Sequence, residues 1–360
     1  MKKLLTLLVL VCMVFSLGAC GSKTEDNNTP AGNDTPAEAT YKLGMGTTVS
    51  LDSSKAGNAQ VDATVAAVIL DAEGKIVDCR IDVAQNKTAI SEDGEIATEG
   101  VTFLSKYEKG EDYHMDDFAE DCTRDWYLQA DSFAAYVVGK TAAEVEATET
   151  RVRGEDEPHP GYVVAADETL FAECSITITQ FIEAVVKACN DEQGKTFTTA
   201  GTPTLGLKLT SNLDKSSKSA TAEEAGAANM YTTMSAAAVV DGTIVAAVLD
   251  AMQPKISFDD CGEITDAKFV ATKRELKEDY NMVKFAEDCN IEWYQQSANF
   301  TDYCAGKTAA EVLATETRTR GEDEPHPGYV VAADEALFAQ CSINIVDLMQ
   351  VVADAANNAK

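Results

Sequence analysis

Apolar and polar positions fall into runs that predict two β-hairpins, one in each half of the chain. In the first half, VDATVAAVILD at 61–71 and KIVDCRIDV at 75–83 flank a short Ala-Glu-Gly turn. In the second half, apolar runs at 230–240 and 243–251 flank an Asp-Gly turn. Asp-Gly between two apolar runs is the strongest short-range hairpin signal. Each half is therefore predicted to contain antiparallel strands.

Helical spacing follows each hairpin. Apolar side chains three or four residues apart predict a long amphipathic helix that ends at Gly139, because glycine is favoured just past a helix C-terminus. Thr141 with Glu144 makes a capping box that opens a short helix, and a strand-like CSITI segment leads into a last amphipathic helix. Paired strands followed by helices indicate the α+β class. The apolar positions of the long helix are Met115, Phe118, Cys122, Trp126, Phe133 and Val137.

The two halves repeat one unit. The segment RGEDEPHPGYVVAADE occurs at 153–168 and again, unchanged, at 320–335, an offset of 167 residues. Self-similarity of this kind marks a repeated structural unit. We therefore expect two homologous tandem domains, each a small antiparallel sheet with packed helices. Their predicted bounds are 41–190 and 205–360, joined by a linker at 191–204, and they are called the first and second repeat below.

The first twenty residues resemble a bacterial lipoprotein signal. Two lysines, an apolar run and a Leu-Gly-Ala-Cys box occur in that order, and the box ends at Cys20. The alternatives are a plain secretory peptide or a membrane anchor, but the apolar run is short for a membrane span. The resemblance implies that the signal peptide within 1–20 is cleaved immediately before Cys20, so that the mature chain begins at Cys20 and its thiol carries diacylglycerol. Residues 21–40 hold no large apolar side chain and are predicted to be a flexible tether. We expect a protein anchored at the extracytoplasmic face of the cell membrane.

Charge narrows the classes of partner. The 360 residues carry 29 Lys and Arg against 60 Asp and Glu, a formal net charge of −31, while 45% hydrophobic residues exclude wholesale disorder. This surface would repel a phosphate backbone, so nucleic acid is not an expected partner. Adsorption to an anionic membrane is disfavoured for the same reason, which leaves the lipid on Cys20 as the membrane contact.

Cysteine spacing leaves two interpretations open. No CxxC occurs and no histidine lies at metal spacing from a cysteine, so neither a zinc site nor a thioredoxin-like motif is expected. Both repeats share only two positions, Cys122 with Cys289 and Cys174 with Cys341. A disulfide within each repeat and small buried free thiols both agree with this pattern. The cysteines beyond the leader and Cys20 are Cys79, Cys122, Cys174, Cys189, Cys261, Cys289, Cys304 and Cys341.

The chemistry-bearing residues do not form a catalytic pattern. The acidic EDEPHPG loop offers cation ligands beside His159 and His326 but is more typical of a solvated turn set by its prolines. Trp126 and Trp293 lie at apolar helix positions and are expected in the core rather than as flavin-stacking platforms. No nucleophile–histidine–acid order, Gly-rich phosphate loop or HExxH is present, so an enzyme is not expected.

The layout of each repeat resembles the extracytoplasmic FMN-binding domain of flavinylated sodium-pumping quinone reductase subunits and of paired-domain electron-transfer lipoproteins. The shared features are a hairpin with a GKI turn, a helical region and an acid-led small-residue motif before the last helix. The family motif is an Asp followed by Ser-Gly-Ala-Thr, whose threonine hydroxyl is joined to the FMN phosphate. Here the segments at 172–177 and 339–344 follow Asp167 and Asp334, and Glu173 and Gln340 replace the glycine.

The resemblance implies a cofactor, site residues and partners. FMN would be attached at the Ser175 and Ser342 hydroxyls, beside Thr177. In a chain this acidic, cations are needed to offset the FMN phosphate, and Arg153 and Arg320 before the identical loop are the candidates; the alternative is that such arginines neutralise neighbouring glutamates such as Glu149 and Glu155. An FMN transferase and a membrane redox partner would be required. The implied function is a surface-anchored flavin carrier in extracytoplasmic electron transfer. The alternative is a non-catalytic surface lipoprotein that has lost the flavin and binds a ligand or a protein.

Overall fold

The computed structural model describes residues 38–98, 101–115, 124–286 and 289–360. The leader with Cys20, most of the predicted tether, and Phe118 and Cys122 lie outside the described residues. Across the described ranges, no helix has the length and apolar character needed to cross a membrane.

The hairpin regions consist mostly of strands. Antiparallel sheets together with helices confirm the α+β class. In the first repeat and the segment after it they are β1 (Ala39–Ser50), β2 (Asn58–Leu70), β3 (Ile76–Ala89), β4 (Thr102–Phe103), β5 (Thr150–Val152), β6 (Val163–Ala165) and β7 (Lys195–Thr199). In the second repeat they are β8 (Thr204–Leu213), β9 (Gly226–Val240), β10 (Thr243–Met252), β11 (Lys255–Phe258), β12 (Ile264–Lys268), β13 (Thr317–Thr319) and β14 (Val330–Ala332).

The helices of the described residues are mostly short. In the first repeat they are α1 (Lys106–Lys109), α2 (Trp126–Val137), α3 (Ala142–Glu146), α4 (Glu168–Glu173) and α5 (Thr179–Cys189). In the second they are α6 (Lys273–Leu276), α7 (Met282–Phe285), α8 (Trp293–Cys304), α9 (Ala309–Leu313), α10 (Glu335–Gln340) and α11 (Val346–Asn357). The capping box predicted at Thr141 opens α3, and the equivalent box at Thr308 in the second repeat opens α9.

Both predicted hairpins are confirmed, as β2–β3 and β9–β10. The first turn forms because the Asp71 carboxylate accepts hydrogen bonds from the backbone N–H groups of Glu73 (3.0 Å) and Lys75 (2.8 Å). In the second turn Asp241 and Gly242 have φ of 49° and 78°, the left-handed conformation that a two-residue hairpin turn needs.

Two antiparallel sheets are built around these hairpins. The first has the order β3-β2-β1-β7. The second has the order β12-β11-β9-β8-β4, with β10 also paired to β9. The pairing of β4 with β8 adds a piece of the first repeat to the sheet of the second. The segment predicted as linker contains β7, which pairs with β1.

The sheets lie between two layers of helices. One core contains side chains from both sheets, including Leu43, Val65, Leu205, Met234 and Phe258. A second core lies between the first sheet and α2 and α5, and a third between the second sheet and α8 and α11. Each sheet therefore has both faces covered, and β2 and β9 are buried along nearly their whole length. The two repeats share the first core.

Close contact between helix and strand depends on glycine at matched places. A Cβ added to Gly44 in β1 would lie 2.1 Å from the Ala188 carbonyl oxygen in α5. A Cβ added to Gly206 in β8 would lie 1.8 Å from the Ala355 carbonyl oxygen in α11. Both distances are shorter than any real contact, so the last helix of each repeat packs on its sheet only because no side chain intervenes.

Candidate functional site

The predicted site residues Arg153 and Ser175 lie together, and so do Arg320 and Ser342. Arg153 is 4% exposed; its Nη1 donates to the Pro158 carbonyl and its Nη2 to the Ser175 carbonyl, both at 2.7 Å. Arg320 is equally buried and makes the same two bonds, to the carbonyls of Pro325 (2.6 Å) and Ser342 (2.7 Å). Each buried guanidinium therefore fastens the EDEPHPG loop to the motif before the last helix.

The last acid of the acidic run in each loop forms hydrogen bonds within the loop. In the first repeat, the Glu157 carboxylate accepts hydrogen bonds from Arg151 Nη1 and from the Gly154 backbone N–H, each at 2.8 Å. These bonds, the Arg151 bond first, hold the pKa of Glu157 below its ordinary value. Glu324 is bonded in the same way by Arg318 and Gly321. The expectation of a turn thus agrees with the geometry.

One group of side chains outside these loops is close enough to share a metal ion. Within the described ranges, the only group of three residues near enough to share a cation is Asp259, Asp260 and Cys261, in the β11–β12 turn. Two of these residues are exposed, and Asp259 Oδ1 already accepts hydrogen bonds from the backbone N–H groups of Cys261 and Glu263. The EDEPHPG loops are not part of such a group.

A buried glutamine supports each predicted serine. Ser175 donates to Gln129 Oε1 from its backbone N–H (2.9 Å) and its Oγ (3.4 Å). Ser342 makes the same bonds to Gln296 Oε1, at 2.8 and 3.4 Å. Both glutamines are almost fully buried. The sequence analysis did not single out these glutamines. The signal that could have found them is a polar residue at the same place in both repeats, on the otherwise apolar face of the long helix.

A pocket of about 170 Å³ opens beside Ser342 in the second repeat. Its aromatic wall is made by Tyr280, Phe285 and Tyr329, and its polar groups are Cys289, Arg320, His326 and Ser342. The Cys289 Sγ and Ser342 Oγ atoms are 3.6 Å apart. Phe285 is 74% exposed, so a large apolar surface lies at the mouth. The first-repeat positions that correspond in sequence to Phe285, Ala286 and Cys289 lie outside the described residues.

The thiols near this pocket are free. Cys289 and Cys341 are both buried and unbonded to each other. Burial raises the pKa of the Cys341 thiol to about 12. The second repeat therefore has the small buried thiols that were one of the two interpretations of the cysteine pattern. In the first repeat Cys174 is also buried, while Cys122 lies outside the described residues.

The tryptophans are core residues, as expected. Trp126 and Trp293 are each 3% exposed. Lys106 Nζ lies 5.3 Å from the ring of Trp126, and Lys273 Nζ lies 5.2 Å from that of Trp293. Burial lowers the pKa of both lysines to about 8. Because protein covers these rings, neither presents a face on which a flavin can stack.

FMN does not fit inside the pocket at Ser342. A volume of 170 Å³ is well below the roughly 300–1,000 Å³ of most small-molecule sites. Arg320 is the only lysine or arginine among the lining residues that the structure describes, and both of its Nη atoms donate to carbonyls. In the first repeat Thr177 is half-buried beside α5; in the second, Asn344 takes its place and accepts a hydrogen bond from the Val346 backbone N–H.

Comparison with known proteins identifies no relative: no family model, no curated protein and no solved structure matches the chain.

Proposed function

We propose that this chain is a ligand-binding lipoprotein of the extracytoplasmic membrane face, and that the pocket beside Ser342 holds one apolar ring of a small molecule. The observation that carries the proposal is the aromatic wall of Tyr280, Phe285 and Tyr329 next to a few polar groups. Ligand sites characteristically combine mostly apolar walls with a small number of placed polar atoms.

Size limits what enters. A closed apolar cavity of about 150 Å³ is known to accept benzene, so a pocket of 170 Å³ has room for roughly one six-membered ring. The rest of a larger ligand would lie outside, against Phe285. Exposed aromatic surface of this kind is unfavourable in water and is typical of a contact site.

Buried hydrogen bonds hold the backbone at Ser342 in place beside the pocket. Arg320 fixes the Ser342 carbonyl, and Gln296 accepts hydrogen bonds from the backbone N–H groups of Ser342 (2.8 Å) and Ile343 (3.2 Å). These buried bonds hold the Ser342 hydroxyl beside the Cys289 thiol. A site that is already ordered loses less conformational entropy when it binds.

Electron transfer by attached FMN is the second candidate. It is favoured by the three aromatic side chains beside a serine hydroxyl, since aromatic faces stack on planar ring systems. FMN would have to lie mostly outside the pocket. The protein would supply binding and orientation, and the redox chemistry would belong to the flavin.

One experiment separates the two candidates. The mature lipoprotein is produced with an FMN transferase, and its intact mass is measured before titration with phenol and indole, followed by ligand-observed NMR. We expect an unmodified mass and ring binding in the wild type. The affinity of Phe285→Ser for the ring should be lower by about tenfold or more, because the exposed wall is lost.

The matched control is Val283→Ser, since Val283 is an exposed residue of the same helix α7 but does not line the pocket. Equal losses in both variants, or no ring binding at all, would overturn the ligand-binding proposal. A mass increase of one FMN that Ser342→Ala removes would establish the flavin carrier instead.

A further inference from the structure

A buried lysine lies behind one wall of the pocket beside Ser342. Lys273 begins α6, is 7% exposed and is not among the residues that line the pocket. Its Nζ lies 4.7 Å from the ring centre of Tyr280, which does line the pocket. Since Lys273 does not itself reach the pocket, the side of Tyr280 that faces the pocket is not the side that the ammonium group covers.

Aromatic rings surround this ammonium group. Besides Tyr280, its Nζ lies 4.9 Å from the ring centre of Tyr231 and 5.2 Å from that of Trp293. The Nζ is also bonded to Tyr231 Oη at 3.3 Å. A cation within about 6 Å of a ring centre is attracted by the negative face of the ring. These contacts hold a positive charge at a fixed place against Tyr280.

Lys273 carries this charge at neutral pH. Burial lowers the pKa of its ammonium group to about 8, while the carboxylates of Asp250 and Asp214 act in the opposite direction. A group with that pKa is mostly protonated at pH 7. The buried cation is therefore present under ordinary conditions.

Glu292 also acts on Tyr280. Burial first, and the Glu292 carboxylate after it, raise the pKa of the Tyr280 hydroxyl to about 12. That carboxylate accepts hydrogen bonds from the backbone N–H groups of Met282 (2.7 Å) and Val283 (3.4 Å). Glu292 therefore has donors of its own, whereas the Lys273 charge lies against ring faces.

The first repeat has the same arrangement. Lys106 precedes Lys273 by 167 residues, and Tyr113 precedes Tyr280 by the same number. Lys106 Nζ lies 4.9 Å from the ring centre of Tyr113 and 5.3 Å from that of Trp126. A lysine against this tyrosine is thus part of the repeated unit.

A cation on one side of an aromatic ring changes what the other side attracts. The faces of an aromatic ring are negative, and a cation draws electron density towards itself, so the opposite face becomes less negative. A ligand ring stacked on that face is repelled less when it is electron-rich and attracted less when it is electron-poor. Tyr280 should therefore discriminate between rings of the same shape.

We propose that the pocket beside Ser342 selects electron-rich aromatic rings, and that Lys273 sets this preference by acting through Tyr280. The preference depends on the ring-binding function proposed above. Lys273 does not touch the ligand; its role is to polarise the ring that does.

The probes are benzene and hexafluorobenzene, two flat rings of similar shape whose faces are negative and positive respectively. Each is titrated into the full mature protein and followed by ligand-observed NMR. The quantity measured is the ratio of the two dissociation constants, because a purely structural loss would weaken both rings alike. Lys273→Met should shift this ratio towards hexafluorobenzene by about threefold or more, the scale of one aromatic pair.

Two further substitutions of the lysine separate charge from folding. Lys273→Gln is neutral but can still bond the Tyr231 hydroxyl, so it should show the same shift even if Lys273→Met is unstable. Lys273→Arg keeps the cation and should keep the wild-type ratio. The matched control is Lys106→Met, which removes the equivalent lysine of the first repeat and should leave the ratio unchanged.

Substitution of Tyr280 tests the route. In Tyr280→Phe the ring remains, so adding Lys273→Met should still shift the ratio. In Tyr280→Leu both probes should bind more weakly, and adding Lys273→Met should no longer shift the ratio, because the ring that transmits the effect is gone.

Ring binding with an unchanged ratio in both neutral variants would overturn this inference and leave the ring-binding function standing. An equal shift in Lys106→Met would overturn it too, as would a shift that persists when Tyr280 is replaced by leucine. If neither probe binds to the wild type, the ring-binding function itself fails and the preference fails with it.

Discussion

Two cavities between the repeats lie at corresponding places in the sequence but hold their charges differently. One cavity, called the basic cleft here, has a volume of about 380 Å³ and is lined by the cations Arg80, Lys208 and Lys360. In it Tyr107 and Asn358 occupy the positions that Arg274 and Asp191, 167 residues away in each case, occupy in the other cavity. There Arg274 Nη2 pairs with Asp191 at 3.1 Å, and both side chains are nearly buried. That cavity, called the paired cleft here, has a volume of about 310 Å³.

The difference shows that one repeated surface pairs its charges in two ways. In the paired cleft the charges of the two repeats neutralise each other, with Lys187 bonded to Glu275 and Lys277 to Glu192 in addition to the Arg274 pair. In the basic cleft the corresponding buried pair is missing, and its cations pair at the rim instead, Arg80 with Asp78 and Lys208 with Glu108. The paired cleft therefore joins the repeats through a buried ion pair that the basic cleft lacks.

Removing the buried arginine should give the largest effect. Arg274→Met leaves the Asp191 carboxylate buried with only the backbone N–H groups of Met45 and Gln193 as donors. Breaking a buried ion pair from one side costs about 3–5 kcal/mol, so the free energy of unfolding in urea should fall by that order. Tyr107→Met, the matched change in the basic cleft, should cost about 1 kcal/mol. Equal losses of unfolding free energy would mean that the two clefts contribute equally to stability.

The buried aspartates of the two clefts should give a smaller, pH-dependent effect. Burial raises the pKa of both Asp82 and Asp250 from 3.8 to about 6. Between about pH 4 and 6 the folded protein therefore holds protons that the unfolded chain has released. Its free energy of unfolding should fall as pH rises through this window, by on the order of 2–3 kcal/mol for each carboxyl.

Asparagine at either position tests this dependence. Asp82→Asn keeps an oxygen for the Tyr107 N–H but cannot ionise. The difference in free energy of unfolding between low and neutral pH, measured by urea unfolding, should therefore shrink by the contribution of Asp82. Asp250→Asn should lose a similar share, although Arg274 favours the ionised form of Asp250. An unchanged slope in both variants would contradict the assignment.

The smallest effect is expected at the rim of the paired cleft. Lys187 and Glu275 are 3.0 Å apart, but both side chains are well exposed. Exposed ion pairs contribute about 0–1 kcal/mol, so Lys187→Met should change the unfolding midpoint little, and less still at high salt. A loss as large as that of Arg274→Met would show that exposure is a poor guide to the strength of these pairs.

Local structure was predictable from the sequence because it depends on neighbouring residues. The Asp241-Gly242 turn, the capping boxes at Thr141 and Thr308, and the end of α2 before Gly139 all follow from signals within a few positions. The face-to-face contact of the two sheets was not predicted. The signal for this contact was the length of the apolar run in β2. A strand with one solvated face would instead alternate apolar and polar residues.

The candidate site was predictable only in part. Arg153 and Ser175 were expected to meet at one FMN phosphate, as were Arg320 and Ser342, and each pair lies together in the structure. The expected role for the arginines was contact with a phosphate, whereas both bond backbone carbonyls. Every residue carries a carbonyl, so such a partner leaves no signature in the sequence. The basic cleft had no signal either, because Arg80, Lys208 and Lys360 meet only through tertiary packing.

The core that both sheets share has a consequence for the order of folding. Side chains such as Leu43 and Val65 are covered by Leu205 and Met234, which the ribosome makes some 160 residues later. Contacts this distant in the chain slow folding and prolong the life of partly folded states. Until the second sheet exists, the first presents a bare apolar face, so a nascent chain halted before β8 should depend on a chaperone to stay unaggregated.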